Sequence, residues 1–281
     1  MMHETNIASP MVLSMKGHMM KLPNSLIIGA QKSGTSWAYR FCKASGLFMP
    51  KPKELMFFDN EKRYSKLGFK GYAKFFADWN GEGSAGEATP GYFWVSKDHA
   101  EWGPPPQFNQ DTPRRVRDAL GPDLKLVLLL RNPIDRALSA HLHHVRKGRI
   151  APSRTIGTTG RRGGIVHIGF YHAHLSAWLD VFPRENFWIC TYEDFFTSRR
   201  HMTTLAEFLG GGPDGVRLFS RKVYVGLGFR RGLRGAVAAS GDVIASPSEL
   251  ETLQKAYASD VSMLTSLGVD TTAWRHDFGS A

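Results

Sequence analysis

The sequence predicts an α/β fold, with one parallel sheet flanked by helices in a single domain. Three observations predict it. Short continuous apolar runs, at 24–29 (NSLIIG), 124–130 (LKLVLLL) and 187–191 (FWICT), read as strands covered on both faces. Stretches of helical character separate them, as parallel strands require. A loop of small residues around one lysine joins the first run to a helix. The 281 residues are 42% apolar and 22% charged, which excludes a mostly disordered chain. At about 150 residues per domain, the length admits one large or two small domains. The unbroken alternation favours one, over 23–281, preceded by a flexible leader, 1–22.

The elements follow in order. After strand 24–29, residues 35–44 read as a helix ending near Gly46. A loop at 51–60 holds an apolar patch, and a helix is expected near 71–79. Residues 84–87 suggest a second strand, stopped by Thr89-Pro90-Gly91. The proline-rich 102–112 reads as a surface loop and 113–120 as a short helix. After strand 124–130, Asn132 is a good N-cap and Pro133 suits a first helical turn, so a helix runs to about Arg146. The Gly-, Ser- and Arg-rich 150–164 reads as a mobile loop. Helices are expected at 171–181 and 203–209, around strand 187–191. Residues 221–246 are glycine-rich and basic, and 248–267 form a final amphipathic helix.

The formal net charge is +11. The excess lies in scattered pairs such as Arg146-Lys147 and Arg230-Arg231, with no basic tail. Nucleic acid is one reading, ordinary solvated surface another, and a small, highly anionic ligand accounts for the same excess. Two cysteines, Cys42 and Cys190, sit in apolar contexts and read as buried thiols. The longest purely apolar run, 126–130, is too short for a membrane span, and the N-terminus lacks a secretory pattern. A soluble, cytoplasmic protein is expected, its oligomeric state left open.

The loop Gly29-Ala30-Gln31-Lys32-Ser33-Gly34-Thr35-Ser36 has the strand-to-helix context of a phosphate loop, so the sheet is expected to be P-loop-like. In the triphosphatase pattern G-x-x-x-x-G-K-[ST], both glycines are present but Thr35 stands where the lysine belongs. The lysine is inside the loop, at Lys32. The strand 124–130 ends in Arg131, where a triphosphatase commonly has a magnesium-holding Asp. The pair suggests phosphate binding without a metal.

Lys32-Ser33-Gly34-Thr35-Ser36-Trp37 resembles the 5′-phosphosulfate loop of sulfotransferases, which use 3′-phosphoadenosine 5′-phosphosulfate (PAPS) and release the desulfated PAP. Arg131-Asn132-Pro133-Ile134-Asp135-Arg136-Ala137-Leu138-Ser139 resembles their 3′-phosphate motif, R-[ND]-P-x-x-R-x-x-S. Gly169-x-Tyr171 and Tyr192-Glu193-Asp194 are similar to the family's central stretch. The resemblance implies that Lys32 stabilises the leaving phosphate, with Ser33, Gly34, Thr35 and Ser36 donating to it. It implies Trp37 against the adenine, Tyr192 on the nucleotide, and Arg131 with Ser139 on the 3′-phosphate. Phe229-Arg230-Arg231-Gly232 resembles the R-K-G run that closes over the 3′-phosphate in cytosolic members, with Arg231 replacing the lysine.

Lys53-Glu54-Leu55-Met56-Phe57-Phe58-Asp59 resembles the E-x-x-F-F-D segment of heparan-sulfate-type sulfotransferases, whose glutamate is the general base. By that resemblance Glu54 is the base and Asp59 a supporting carboxylate. Apolar surroundings are expected to raise the Glu54 pKa by desolvation. Glu87-Ala88-Thr89-Pro90-Gly91-Tyr92-Phe93 is similar to E-K-[TS]-P-x-Y-F of that branch, with Ala88 in place of the lysine. Glu87, Tyr92 and Phe93 are taken as acceptor-binding, and so is His141, one turn beyond the phosphate motif. His141 and His144 share a helix face, but nothing completes a metal site.

The expected reaction is metal-independent sulfuryl transfer from PAPS to a hydroxyl of a carbohydrate, lipid or natural product. Two other readings stand beside it. One is a magnesium-dependent P-loop kinase or triphosphatase. The other is a non-catalytic binder of anionic polymers.

Overall fold

The computed structural model describes residues 12–15, 18–103, 111–220 and 244–279. Its centre is a four-stranded parallel sheet of β3 (Ser25–Gly29), β4 (Gly86–Ala88), β5 (Lys125–Leu130) and β6 (Phe187–Thr191), in the order β4-β3-β5-β6. The continuous apolar runs are explained by two-sided burial. Leu26, Ile28, Leu126, Leu128 and Leu130 face one core, and Ile27, Val127 and Leu129 face another on the opposite side. Successive strand residues point to opposite faces, so both sets must be apolar.

The order has one functional consequence. From β3 the chain crosses to β4 on one side, while β5 leads to β6 on the other. The carboxyl ends of β3 and β5 therefore flank the switch point, where open parallel sheets form a crevice. The loop after β3 runs into α1 (Thr35–Ala44); α3 (Thr112–Leu120) precedes β5, and beyond it Arg131 with Asn132 leads into α4 (Pro133–Arg146). Asn132 caps α4 as expected: its side-chain oxygen accepts from the Ile134 and Asp135 amides. Its amide nitrogen donates to Asp277 Oδ2 at 2.6 Å, tying the cap to the C-terminal segment.

Several elements differ from the sequence reading. Within the stretch read as a leader, β1 (Val12–Met15) and β2 (His18–Lys21) pair as an antiparallel ribbon. The helix expected near 71–79 begins ten residues earlier. It is α2 (Glu61–Ala73), capped by Asn60 and followed by a short 3₁₀ turn, Lys74–Phe76. Residues 150–164 hold α5 (Ile156–Thr159) and a 3₁₀ turn, Arg162–Gly164, because Ile150 and Ile156 are buried there. Beyond α6 (Tyr171–Leu179) and β6, α7 (Tyr192–Thr197) opens directly off the strand. Next, α8 begins earlier than expected (Arg199–Leu209), and α9 spans Asp214–Ser220. The final helix, Pro247–Met263, starts with a Ser246–Glu249 capping box. Cys42 and Cys190 are buried free thiols. Among the described residues no helix is long and apolar enough to cross a membrane.

Candidate active site

A cavity of about 680 Å³ opens at the switch point, lined from the loop after β3, the start of α1, residues 53–59, residues 89–91, Arg131, α4 and α7. The β3 loop is shaped for an anion. Gly34 has φ +92, which a side chain rarely adopts, and a Cβ there would lie 3.0 Å from Phe196 and 3.1 Å from Tyr192. It precedes α1 with no side-chain cap, and no acidic residue occupies the first turn. The Trp37 amide turns back to the Gly34 carbonyl at 2.9 Å, and the positive end of the helix dipole, uncapped by any side chain, favours an anion.

Cations converge here. Lys32, in a left-handed conformation with φ 71, is half-buried. Burial lowers its pKa, and the charges of Arg131, Arg146, Arg136 and Lys53 lower it further. Arg131 is buried at the end of β5, and its Nη1 donates to the Lys32 carbonyl at 3.5 Å. Its guanidinium lies 5.0 Å from the Tyr192 ring centroid. Cations held this close repel one another, and a polyanion relieves that repulsion. Trp37 borders the same space from α1, packed against Phe41, Phe195, Phe196 and Phe219. Of the residues expected on the nucleotide, Lys32, Gly34, Thr35, Ser36, Trp37, Arg131, Ser139 and Tyr192 all line the cavity. Ser33 is fully buried and does not. Arg230, Arg231 and Gly232 lie outside the described residues.

The opposite wall carries the carboxylates. Leu55, Phe57 and Phe58 are fully buried and anchor the segment, which leaves Glu54, Met56 and Asp59 on the cavity. Contrary to the desolvation expected of it, Glu54 has a side chain 45% exposed, ion-paired at 2.7 Å with Lys53. Lys53 also donates to Ser36 Oγ at 2.9 Å, so one ammonium joins the two walls. The desolvated carboxyl is Asp59, which burial, with the Glu54 charge adding, pushes up to about 6. Gly91 makes room for it: a Cβ there would sit 2.4 Å from Asp59 Oδ2.

Four residues expected on the acceptor do not line the cavity. Glu87 is fully buried, and burial pushes its pKa up to about 7. Tyr92 is equally buried, its hydroxyl donating to Glu87 at 2.7 Å. Phe93 packs on the end of β3, where a Cβ on Gly29 would meet its Cβ at 2.4 Å. His141 is buried in the interior, 3.0 Å from Thr159 Oγ1. His143 lines the cavity instead, and Ser139 gives the signal that was missed: four residues later on one helix face is His143, not His141. Arg40, Lys53 and Thr89 also line the space without having been singled out. Arg40 follows Ser36 and Trp37 at helical spacing. Among the described residues no group of three or more His, Cys, Asp or Glu side chains is placed to hold a metal ion.

Comparison with known proteins places the chain in a family. Residues 22–220 match the sulfotransferase domain family. The human heparan sulfate glucosamine 3-O-sulfotransferase 6 is 28% identical over 174 residues, 59% of this chain and 46% of that protein. The human 3-O-sulfotransferase 3B1 is 28% identical over 171 residues, 58% of this chain and 39% of that protein. The matches thus span less than half of these curated relatives. A solved sulfotransferase from Alicyclobacillus acidocaldarius has a TM-score of 0.63 at 26% identity, covering 91% of this chain and 100% of that one. The sulfotransferase domain of the curacin biosynthetic pathway shares the fold, with a TM-score of 0.52 at 14% identity, covering 89% of this chain and 99% of that one.

Proposed function

Because the chain belongs to the sulfotransferase family, we propose that it transfers the sulfuryl group of PAPS to a hydroxyl of an acceptor. The observation that carries this reading is the meeting of Lys32 and Arg131 at the switch point, across one cavity from Glu54 and Asp59. A donor with two phosphate groups suits two cations and a bare helix start. An acceptor that must lose a proton suits the carboxylates opposite.

In this reading the 5′-phosphate side of the donor lies on the loop from Lys32 to Ser36, and the 3′-phosphate lies on Arg131 and Ser139. Trp37 and Tyr192 supply ring faces for the nucleotide. As the sulfuryl group leaves, negative charge grows on the phosphate oxygens, and the Lys32 ammonium stabilises it. Arg131 supplies selectivity for the 3′-phosphate, since a guanidinium holds phosphate through two parallel bonds. Glu54 receives the acceptor proton. Asp59, whose carboxyl is desolvated and raised further by the Glu54 charge, is the supporting carboxylate. Lys53 sits between Ser36 and Glu54, keeping the donor wall and the proton acceptor in register.

The acceptor is an alcohol-bearing carbohydrate, lipid or natural product. The curated relatives are named as heparan sulfate enzymes, which supports a carbohydrate. Calorimetric titration with PAP in metal-free buffer, beside adenosine 5′-phosphate lacking the 3′-phosphate, tests the donor assignment. Tight binding of PAP alone is expected, and equal affinity for both compounds would remove Arg131 from its role. Mass spectrometry of acceptor panels incubated with PAPS tests the transfer.

A further inference from the structure

Glu87 has no access to the cavity, yet it sits at the centre of a hydrogen-bond cluster that reaches the cavity wall. Three hydroxyls donate to its carboxylate: Tyr72 at 3.0 Å and Tyr92 at 2.7 Å to Oε1, and Thr89 at 2.7 Å to Oε2. A hydroxyl has one proton. Once it is given to Glu87, the oxygen can only accept elsewhere. Thr89 Oγ1 accepts from the Met56 amide at 3.2 Å. Tyr92 Oη accepts from the Phe57 amide at 3.1 Å and the Phe58 amide at 3.5 Å. These are consecutive amides of the stretch between Glu54 and Asp59. Met56 there has φ 47, a conformation costly for a side chain, which needs outside support. The Phe57 ring stacks on Tyr72 with centroids 4.6 Å apart, which fixes the same stretch from its apolar side.

We infer that Glu87 is a positioning residue: through the oriented hydroxyls of Thr89 and Tyr92 it fixes the backbone of residues 56–58 and so aims Glu54 and Asp59 into the cavity. In its ionised form the carboxylate is acceptor-only and orients all three hydroxyls alike. This rests on the proposed sulfuryl transfer for its catalytic consequence, though not for its structural one. The Asp59 charge pushes the Glu87 pKa further in the same direction as burial does.

The test uses Glu87→Gln and Tyr92→Phe in the full chain, with three readouts. Amide hydrogen exchange of residues 56–58 should accelerate in both variants. PAP affinity by calorimetry should stay within about twofold of the wild type. With an acceptor, kcat should fall roughly 10- to 100-fold with little change in either KM, as expected for misaimed groups. Folded variants with wild-type exchange at 56–58, or with a lower melting temperature but unchanged kcat, would overturn the role. Tyr92→Phe loses one hydroxyl and keeps its ring, so it remains decisive if Glu87→Gln does not fold. Failure of the wild-type protein to bind PAP would instead count against the donor reading, and hydrogen exchange would still decide the Glu87 assignment.

Discussion

The β3 loop and the segment 53–59 face each other across one cavity, but they are held in different ways. The loop is built from neighbours in the chain: a strand end, a left-handed Lys32 and Gly34, and a helix start, joined from outside by Arg131 and by Lys53. The segment 53–59 has no helix or strand of its own. It is hung from the core by Leu55, Phe57 and Phe58, and its amides are held by hydroxyls from more than thirty residues away. A phosphate site needs converging N–H groups and positive charge, which a single turn supplies. A proton acceptor needs a chosen degree of burial, which only the surrounding fold supplies.

The sharpest way to break the comparison is Lys32→Ala. It should lower kcat by about 10²- to 10³-fold while the melting temperature holds. A variant that turns over at the wild-type rate with saturating PAPS would remove the donor wall from the chemistry. Glu54→Gln comes next, with an expected loss of about 10²-fold in kcat and no change in PAP affinity. If its pH–rate profile matches that of the wild type, Glu54 is not the proton acceptor.

Arg131→Ala belongs wholly to the donor wall. It should weaken PAP binding roughly 10- to 100-fold and largely erase the preference over the analogue lacking the 3′-phosphate. Asp59→Asn separates function from stability on the other wall. Burial lifts the folded-state pKa from 3.8 to about 6, so the folded protein holds that proton more tightly than the unfolded chain does. The ionised carboxyl therefore costs stability increasingly as pH rises through that interval. Asp59→Asn should raise the melting temperature at neutral pH and leave it unchanged below about pH 4. The same titration should give the wild-type rate an acid limb near pH 6. A variant less stable than wild type at neutral pH would contradict the desolvation argument.

Lys53→Ala is the smallest expected effect. Its ion pair with Glu54 is partly solvated, so only a few-fold change in rate is expected, diminishing as salt rises. A large, salt-insensitive loss would give Lys53 a direct part in the reaction.

Much of the wall proposed for the donor was legible in the sequence, from the loop context and the family resemblance together. Lys32, Gly34, Thr35, Ser36 and Trp37 are contiguous, and Arg131 with Ser139 is fixed by a strand end and helical spacing, so local geometry carries them to the cavity. The same holds for the Asn132 cap and for β5, whose apolar run had one physical interpretation. The acceptor wall was legible only as a set of residue types. Glu54 was expected to be desolvated, but the ion pair with Lys53 keeps it at the surface, and Asp59, half-buried on the cavity wall, is the more desolvated of the two. Glu87, Tyr92, Phe93 and His141 were expected on the acceptor and lie in the interior, while His143 and Thr89 reach the cavity.

The sequence by itself determined the sheet, the glycine loop after β3 and the cations at the switch point, because strand burial, turn chemistry and helix starts are set by residues close in the chain. The tertiary structure decided which carboxylate is dry, which is wet and which is a buried anchor. Burial and hydrogen-bond direction depend on side chains brought together from α2, from the stretch after β4 and from residues 53–59, and no local pattern encodes that meeting.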